Sequence, residues 1–247
     1  MKKVASSGGF TPADLTGLQA WYDASDTGTI TASSGDVSQL DDKSGNGYHF
    51  TQGIGANQPR TGDNTINSLN VLTFNSSNSE TMRNNAFYNL SGKRFTIFAV
   101  FYVSSTASDS FGRFFIADEG STTAPANTIE MGAYKSGNSL NRIVTSVSTT
   151  KNLVHNTDEA HIRTWYTTGT SWHVRINAAE GTGSPFSVGD GLLNSSTAFA
   201  IIGGRLDDSS ADFTGHLCEI IVCDGYVGDT ERDQAESYLA TKWGVTI

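Results

Sequence analysis

The sequence predicts an all-β sandwich in a single domain, followed by one C-terminal helix. Short runs rich in Phe, Val, Ile and Thr recur along the whole chain, separated by clusters of Gly, Ser, Asn and Asp. Only the last segment keeps a helical period over several turns. The 247 residues are 37% hydrophobic, with 13 Phe, 8 Tyr and 4 Trp, and only 17% charged, so a core is affordable and disorder is disfavoured. No Pro-rich linker, internal repeat or shift in composition divides the chain. A sandwich of this length is commonly one domain, so the expected organisation is a polar tail over residues 1–9 and one domain over 10–247.

In chain order, TPADL (11–15) reads as a short helical turn, with Thr11 as cap and Pro12 at the first position. LDDKSGNGYHF (40–50) opens like a calcium-binding helical hand, with Asp42, Ser44 and Asn46 alternating before Gly47. That motif needs a Glu at its twelfth position, and residue 53 is Gly. A tight polar turn is expected instead, with Gly45 and Gly47 at positive φ and with Asp42 and Asn46 bonding nearby amides.

Strands are expected at LQAWYD (18–23), NVLTF (70–74), RFTIFAVFYV (94–103), GRFFIAD (112–118), TIEMGAY (128–134) and RIVTSVS (142–148). Others follow at HIRTWYTT (161–168), SWHVRIN (171–177), AFAIIGG (198–204) and FTGHLCEIIVCD (213–224). The pair at 161–177 forms a hairpin over Gly169 and Thr170. Alternation puts Trp172, Val174 and Ile176 on one face of the second strand and His173 toward solvent with Arg175. Trp21, Trp165 and Trp172 are expected in the core.

The terminal segment GDTERDQAESYLATKWG concentrates Asp229, Glu231 and Asp233 where the helix dipole favours negative charge. Ala235, Tyr238, Leu239 and Trp243 follow at helical spacing, and Gly244 supplies the stop. Its single apolar stripe suits a helix lying against a sandwich edge. Cys218 and Cys223 lie on one strand, roughly 16 Å apart and on opposite faces, so both are expected as free thiols.

A net charge of −9 and a pI near 4.9, with no basic cluster larger than Lys93–Arg94, argue against nucleic acid as a partner. No stretch reaches the length of a signal peptide or membrane span, and synthesis in a reducing cytoplasm is expected. The sequons at Asn75, Asn89 and Asn194 then read as chance. Catalytic signatures are sparse. DEAH at 158–161 has no phosphate loop to serve, and neither a GxSxG elbow nor an HExxH pair occurs. The alternating Glu, Asp and Glu on one strand that mark sandwich-type glucanases are missing too. Hydrolysis would need carboxylates converging from different strands, and a non-enzyme is expected.

Several stretches taken together resemble the concanavalin A-like, laminin G-like domains of bacterial surface proteins and of structural proteins of tailed phages. They are FTPADLTGLQAWYDASD, LDDKSGNGYHFTQ, QPRTG, NSLNVLTFNSSNSETM, FTIFAVFYV and the closing FTGHLCEIIVCDGYVGDTERDQAESYLATKWGV. The resemblance implies a two-sheet antiparallel jelly roll whose concave face and rim loops serve binding more than catalysis. It also implies a rim calcium site drawn from Asp42, Asn46 and Glu219, against which stands a hydrogen-bonded turn with no ion and no cofactor. For glycan contact the candidates are Tyr48, His49, Tyr88, Tyr134 and Tyr226, which lie near polar turns; the alternative for each is rim or core packing.

Three functions follow as expectations. The first is a structural or adhesive component of a phage virion, a capsid decoration or tail-associated protein on the particle surface, with capsid or tail subunits or its own copies as partners. The second is a lectin module for cell-surface glycans. The third is a glycoside hydrolase.

Overall fold

The computed structural model describes residues 9–90, 92–105, 111–117, 128–134, 138–144, 148–154, 156–169, 171–181, 184–187, 199–204 and 212–247. The tail expected over residues 1–9 lies, but for Gly9, outside them. Along the described residues run β1 (Leu18–Asp23), β2 (Ile30–Ser33), β3 (Asp36–Leu40), β4 (Phe50–Thr51), β5 (Arg60–Ile66) and β6 (Leu69–Phe74). Next come β7 (Met82–Asn84), β8 (Phe95–Val103), β9 (Phe111–Ala117), β10 (Thr128–Tyr134), β11 (Asn138–Val144) and β12 (Ser148–Val154). The series closes with β13 (Ala160–Thr168), β14 (Ser171–Ile176), β15 (Ala179–Glu180), β16 (Phe186–Ser187), β17 (Ala200–Ile202), β18 (Gly215–Asp224) and α1 (Asp229–Trp243). The TPADL turn is a single 3-10 turn over Pro12–Asp14, in which Asp14 Oδ2 accepts from the Thr11 amide at 3.0 Å and the Thr11 hydroxyl at 3.2 Å.

The strands make a two-layer antiparallel sandwich. In the first layer β18 is central: β8 pairs along one edge, while the other edge is shared by β6 near Gly215 and β1 near Glu219. Beyond β8 follow β13 and β14, with β15 and β16 on the far edge of β14. The second layer runs β12, β11, β10, β9, β17, β7 and β4. Through β3 and β5 it connects back to β6 in the first layer.

The near-continuous apolar run of β8 is explained by burial on both faces. Phe95, Ile97, Ala99 and Phe101 point into the core between the layers, with Trp165, Trp172, Phe115, Met131 and Ile202. Phe98 and Val100 point the other way, into a second cluster with Ala235, Leu239 and Trp243 of α1. The helix therefore covers the outer face of the first layer over β8 and β13 instead of lying at a sandwich edge, because a second apolar face is there to receive it. Burying Leu239 and Trp243 contributes on the order of 2 to 3 kcal/mol each. Gly244 ends the helix at φ +69°.

The expected placement of the two thiols is also corrected. A bulge between Leu217 and Glu219 makes Cys218 an extra residue in the ladder. The alternation slips by one there, so Cys218 and Cys223 both lie in the helix-facing cluster, as free thiols.

Candidate functional site

The SGNG turn is built by one carboxylate. Asp42 Oδ1 accepts from the amides of Trp21 at 2.9 Å and Ser44 at 2.8 Å, and Oδ2 accepts from Ser44 Oγ at 2.7 Å and the Tyr48 amide at 3.1 Å. Asn46 Nδ2 donates to the Gln19 carbonyl at 2.9 Å, and Gly45 and Gly47 take φ of +91° and +79°. The two carboxylate oxygens of Asp42 thus meet four donors, which is the capacity of an ionised carboxylate.

Glu219, expected as a third calcium ligand, is held by four protein donors of its own. It is fully buried, and its Oε1 accepts from Trp21 Nε1 at 2.8 Å and the Tyr238 hydroxyl at 3.1 Å. Its Oε2 accepts from Lys242 Nζ and Trp243 Nε1, each at 2.8 Å. Each of the two acids is thus engaged by four protein donors, and Trp21 touches both, its amide on Asp42 and its indole on Glu219. Among the described residues no group of three or more His, Cys, Asp or Glu side chains is placed to hold a metal ion.

The Glu219 centre contains a second carboxylate. Asp23 is its register partner on β1 and receives Lys242 Nζ at 2.8 Å, Lys43 Nζ at 3.0 Å and Ser25 Oγ at 2.6 Å. Burial and then the Asp23 charge push the Glu219 carboxyl above its ordinary range. Burial acts on Asp23 in the same sense, but hydrogen bonds from Lys242, Ser25 and Lys43 outweigh it and hold that carboxyl low. One raised and one lowered acid resemble the pair a glycosidase needs. Here, though, they are 0% and 4% exposed, and their donors are Trp21 of β1, Ser25, Lys43 and the α1 residues Tyr238, Lys242 and Trp243. The arrangement ties helix to sheet.

The aromatic candidates divide between packing and stacking. Tyr48 is half-buried and packs against Phe87 and Tyr88, with ring centroids 5.7 and 6.3 Å away. Tyr88 is buried, and Lys93 Nζ meets its hydroxyl at 2.8 Å. His49 is exposed, and its Nδ1 accepts from the Asp42 amide at 3.1 Å. These three share one rim. Tyr226 belongs to a ladder of rings, stacked 4.9 Å from Tyr166, which in turn stacks 4.4 Å from His173. His173 is thus stacked on Tyr166, its register partner on β13, and partly buried rather than turned to solvent. Tyr134 lies in β10, but its side chain is outside the described residues.

Sequence reasoning missed a cleft of about 380 Å³ on the outer side of the first layer, at the C-terminal end of α1. Two hairpin turns frame it. Asn67–Ser68 joins β5 to β6 and Asn177–Ala178 joins β14 to β15, all four residues at positive φ between +48° and +63°. Asn is the residue such two-residue turns favour, so the pairs NS and NA between strands were readable signals. Asn67 and Asn177 line the cleft with Glu159 and Tyr102, over a floor that includes Ile66 and Trp243. Asn67 Nδ2 donates to the Lys242 carbonyl at 2.9 Å, and Asn177 Oδ1 accepts from the Ile162 amide at 3.0 Å. Tyr102 is half-exposed, its ring 4.9 Å from that of His216, its hydroxyl donating to Asp158 Oδ1 at 3.4 Å. An aromatic ring, fixed amides and a carboxylate in one concavity is the composition of a polar small-ligand site.

No protein-family model and no curated protein matches the sequence. Solved structures do resemble the fold. Domain 4 of AbnA, a GH43 extracellular arabinanase from Geobacillus stearothermophilus in complex with arabinotriose, matches with a TM-score of 0.64 and 14% identity, covering 90% of this chain and 100% of that one. The sialidase of Trypanosoma rangeli in complex with sialic acid matches with a TM-score of 0.59 and 11% identity, over 92% of this chain. This chain spans 33% of the sialidase's length. At these identities the likeness establishes the fold alone, a β-sandwich.

Proposed function

We propose that this chain is a non-catalytic carbohydrate-binding module. The observation that carries the reading is the end-to-end correspondence with the arabinanase domain solved with arabinotriose, in which nearly all of this chain matches all of that domain. The donor-saturated burial of Asp23 and Glu219 supports binding over hydrolysis, because a glycosidase must offer its two carboxyls to a sugar. A place on a phage particle, which the opening and closing sequence phrases suggest, is compatible with this role: a glycan-binding module suits a particle surface, with capsid or tail subunits as neighbours.

A glycan array followed by calorimetry of the hits tests the proposal. Saturable binding of at least one oligosaccharide, with no release of reducing ends on prolonged incubation, is the expected result. A blank across neutral and acidic glycans would refute the binding role, and steady release of reducing sugar would make the chain a hydrolase.

A further inference from the structure

We propose that the cleft beside Tyr102 is the sugar site, and that it selects neutral, hydroxyl-rich saccharides over acidic ones. This rests on the carbohydrate-binding reading and adds a location and a charge preference to it. The cleft's side chains offer what a sugar ring uses: an aromatic surface at Tyr102, with the amide-bearing Asn67 and Asn177 nearby. The Tyr102 ring is held by its contact with His216 and by its hydroxyl on Asp158, so little side-chain freedom remains to be lost on binding. Asn177 is fixed by Ile162 and by His161 Nδ1 at 3.3 Å, and both Asn residues sit on tight turns rather than long loops.

The electrostatics decide the ligand class. Among the described residues no Lys or Arg side chain lines the cleft. Glu159 stands in the wall, Asp158 is its chain neighbour, and Trp243 and Gly244 present the C-terminal end of α1, which carries about half a negative charge. Glu159 Oε1 is engaged by Asn156 Nδ2 at 2.7 Å, while Oε2 accepts no hydrogen bond among the described residues. Hydroxyl donors would be welcomed there and a sugar carboxylate repelled.

Amide-resolved NMR titration of the full chain, with arabinotriose and cellotriose as neutral probes and sialyllactose as the acidic one, tests both parts. Shifts centred on residues 67, 102, 159 and 177 with the neutral probes, and weaker or no shifts with sialyllactose, are expected. Tyr102→Ala should weaken neutral binding by about tenfold or more, whereas Tyr102→Phe should stay close to wild type, since stacking is kept. Thermal unfolding of each variant separates lost binding from lost fold, and the wild-type shift map decides the location even if Tyr102→Ala misfolds. Neutral binding mapped elsewhere, or unchanged in a folded Tyr102→Ala, overturns the site while leaving the module reading intact. Preference for sialyllactose overturns the charge argument, and a wild type that binds no saccharide overturns site and reading together.

Discussion

Asp23 and Glu219 stand opposite each other on β1 and β18 and share a single ammonium group, Lys242 Nζ, 2.8 Å from each. The first strand is tied there to the last strand and the terminal helix, and Trp21, Tyr238 and Trp243 close the ring of donors around Glu219.

Glu219→Gln keeps the shape and removes half of the acceptor capacity, so an amide NH₂ must face buried donors. The expected cost is about 3 kcal/mol of unfolding free energy. Urea titration monitored by tryptophan fluorescence measures it, and a variant as stable as wild type would mean that the centre contributes little.

Asp42→Asn tests the turn in the same way. Four donors converge on the Asp42 carboxylate, and an amide in its place accepts on one side only. A loss of about 1 to 3 kcal/mol is expected, together with faster amide exchange at Ser44 and Tyr48. Exchange rates unchanged from wild type would show that the turn holds without it.

Arg163 is 1% exposed, its guanidinium lies 5.3 Å from the Phe114 ring centre, and among the described residues Nε and Nη1 have no hydrogen-bond partner. Burial lowers its pKa to about 9. Arg163→Met, of similar reach and no charge, should stabilise the fold by about 1 to 4 kcal/mol. A lower melting temperature for the variant would contradict this.

His216 is held below its ordinary pKa by burial, and His161 by burial and then by the Arg163 charge. A histidine lowered in the folded state adds nothing against folding above about pH 6.5, where both states are neutral. As pH falls below that value the unfolded chain takes up the proton first, and stability declines toward the folded-state pKa. His216→Gln should therefore flatten the loss of stability between pH 7 and pH 5. Parallel curves for wild type and variant would assign that loss to other groups.

Much of the architecture was readable because burial leaves a pattern. The runs at β1, β10, β13, β14 and β18 are apolar or alternate with a period of two, and α1 carries its own start and stop residues. Short strands such as β2 (ITAS) and β7 (MRN) were not readable, since their polar residues are extended by what they pair with and not by preference. The single extra residue at Cys218 was invisible too, and it reversed the faces assigned to everything beyond it. For the site, the SGNG turn was legible as local hydrogen bonding. Glu219 was visible as a residue but not as a centre, because its partner Trp21 lies 198 positions away. The Tyr102 cleft needs Asn67, Glu159 and Asn177 at one end of the sandwich, a coincidence only the tertiary fold creates.

The slip at Cys218 also equips the molecule with an internal gauge. Both thiols end up beneath α1, and burial pushes the Cys223 thiol up to about 12, so a docked helix keeps them unreactive. Each alkylation event would then record a moment when the helix lifts from the sheet, and the rate would measure how readily the outer layer opens while the sandwich beneath stays closed.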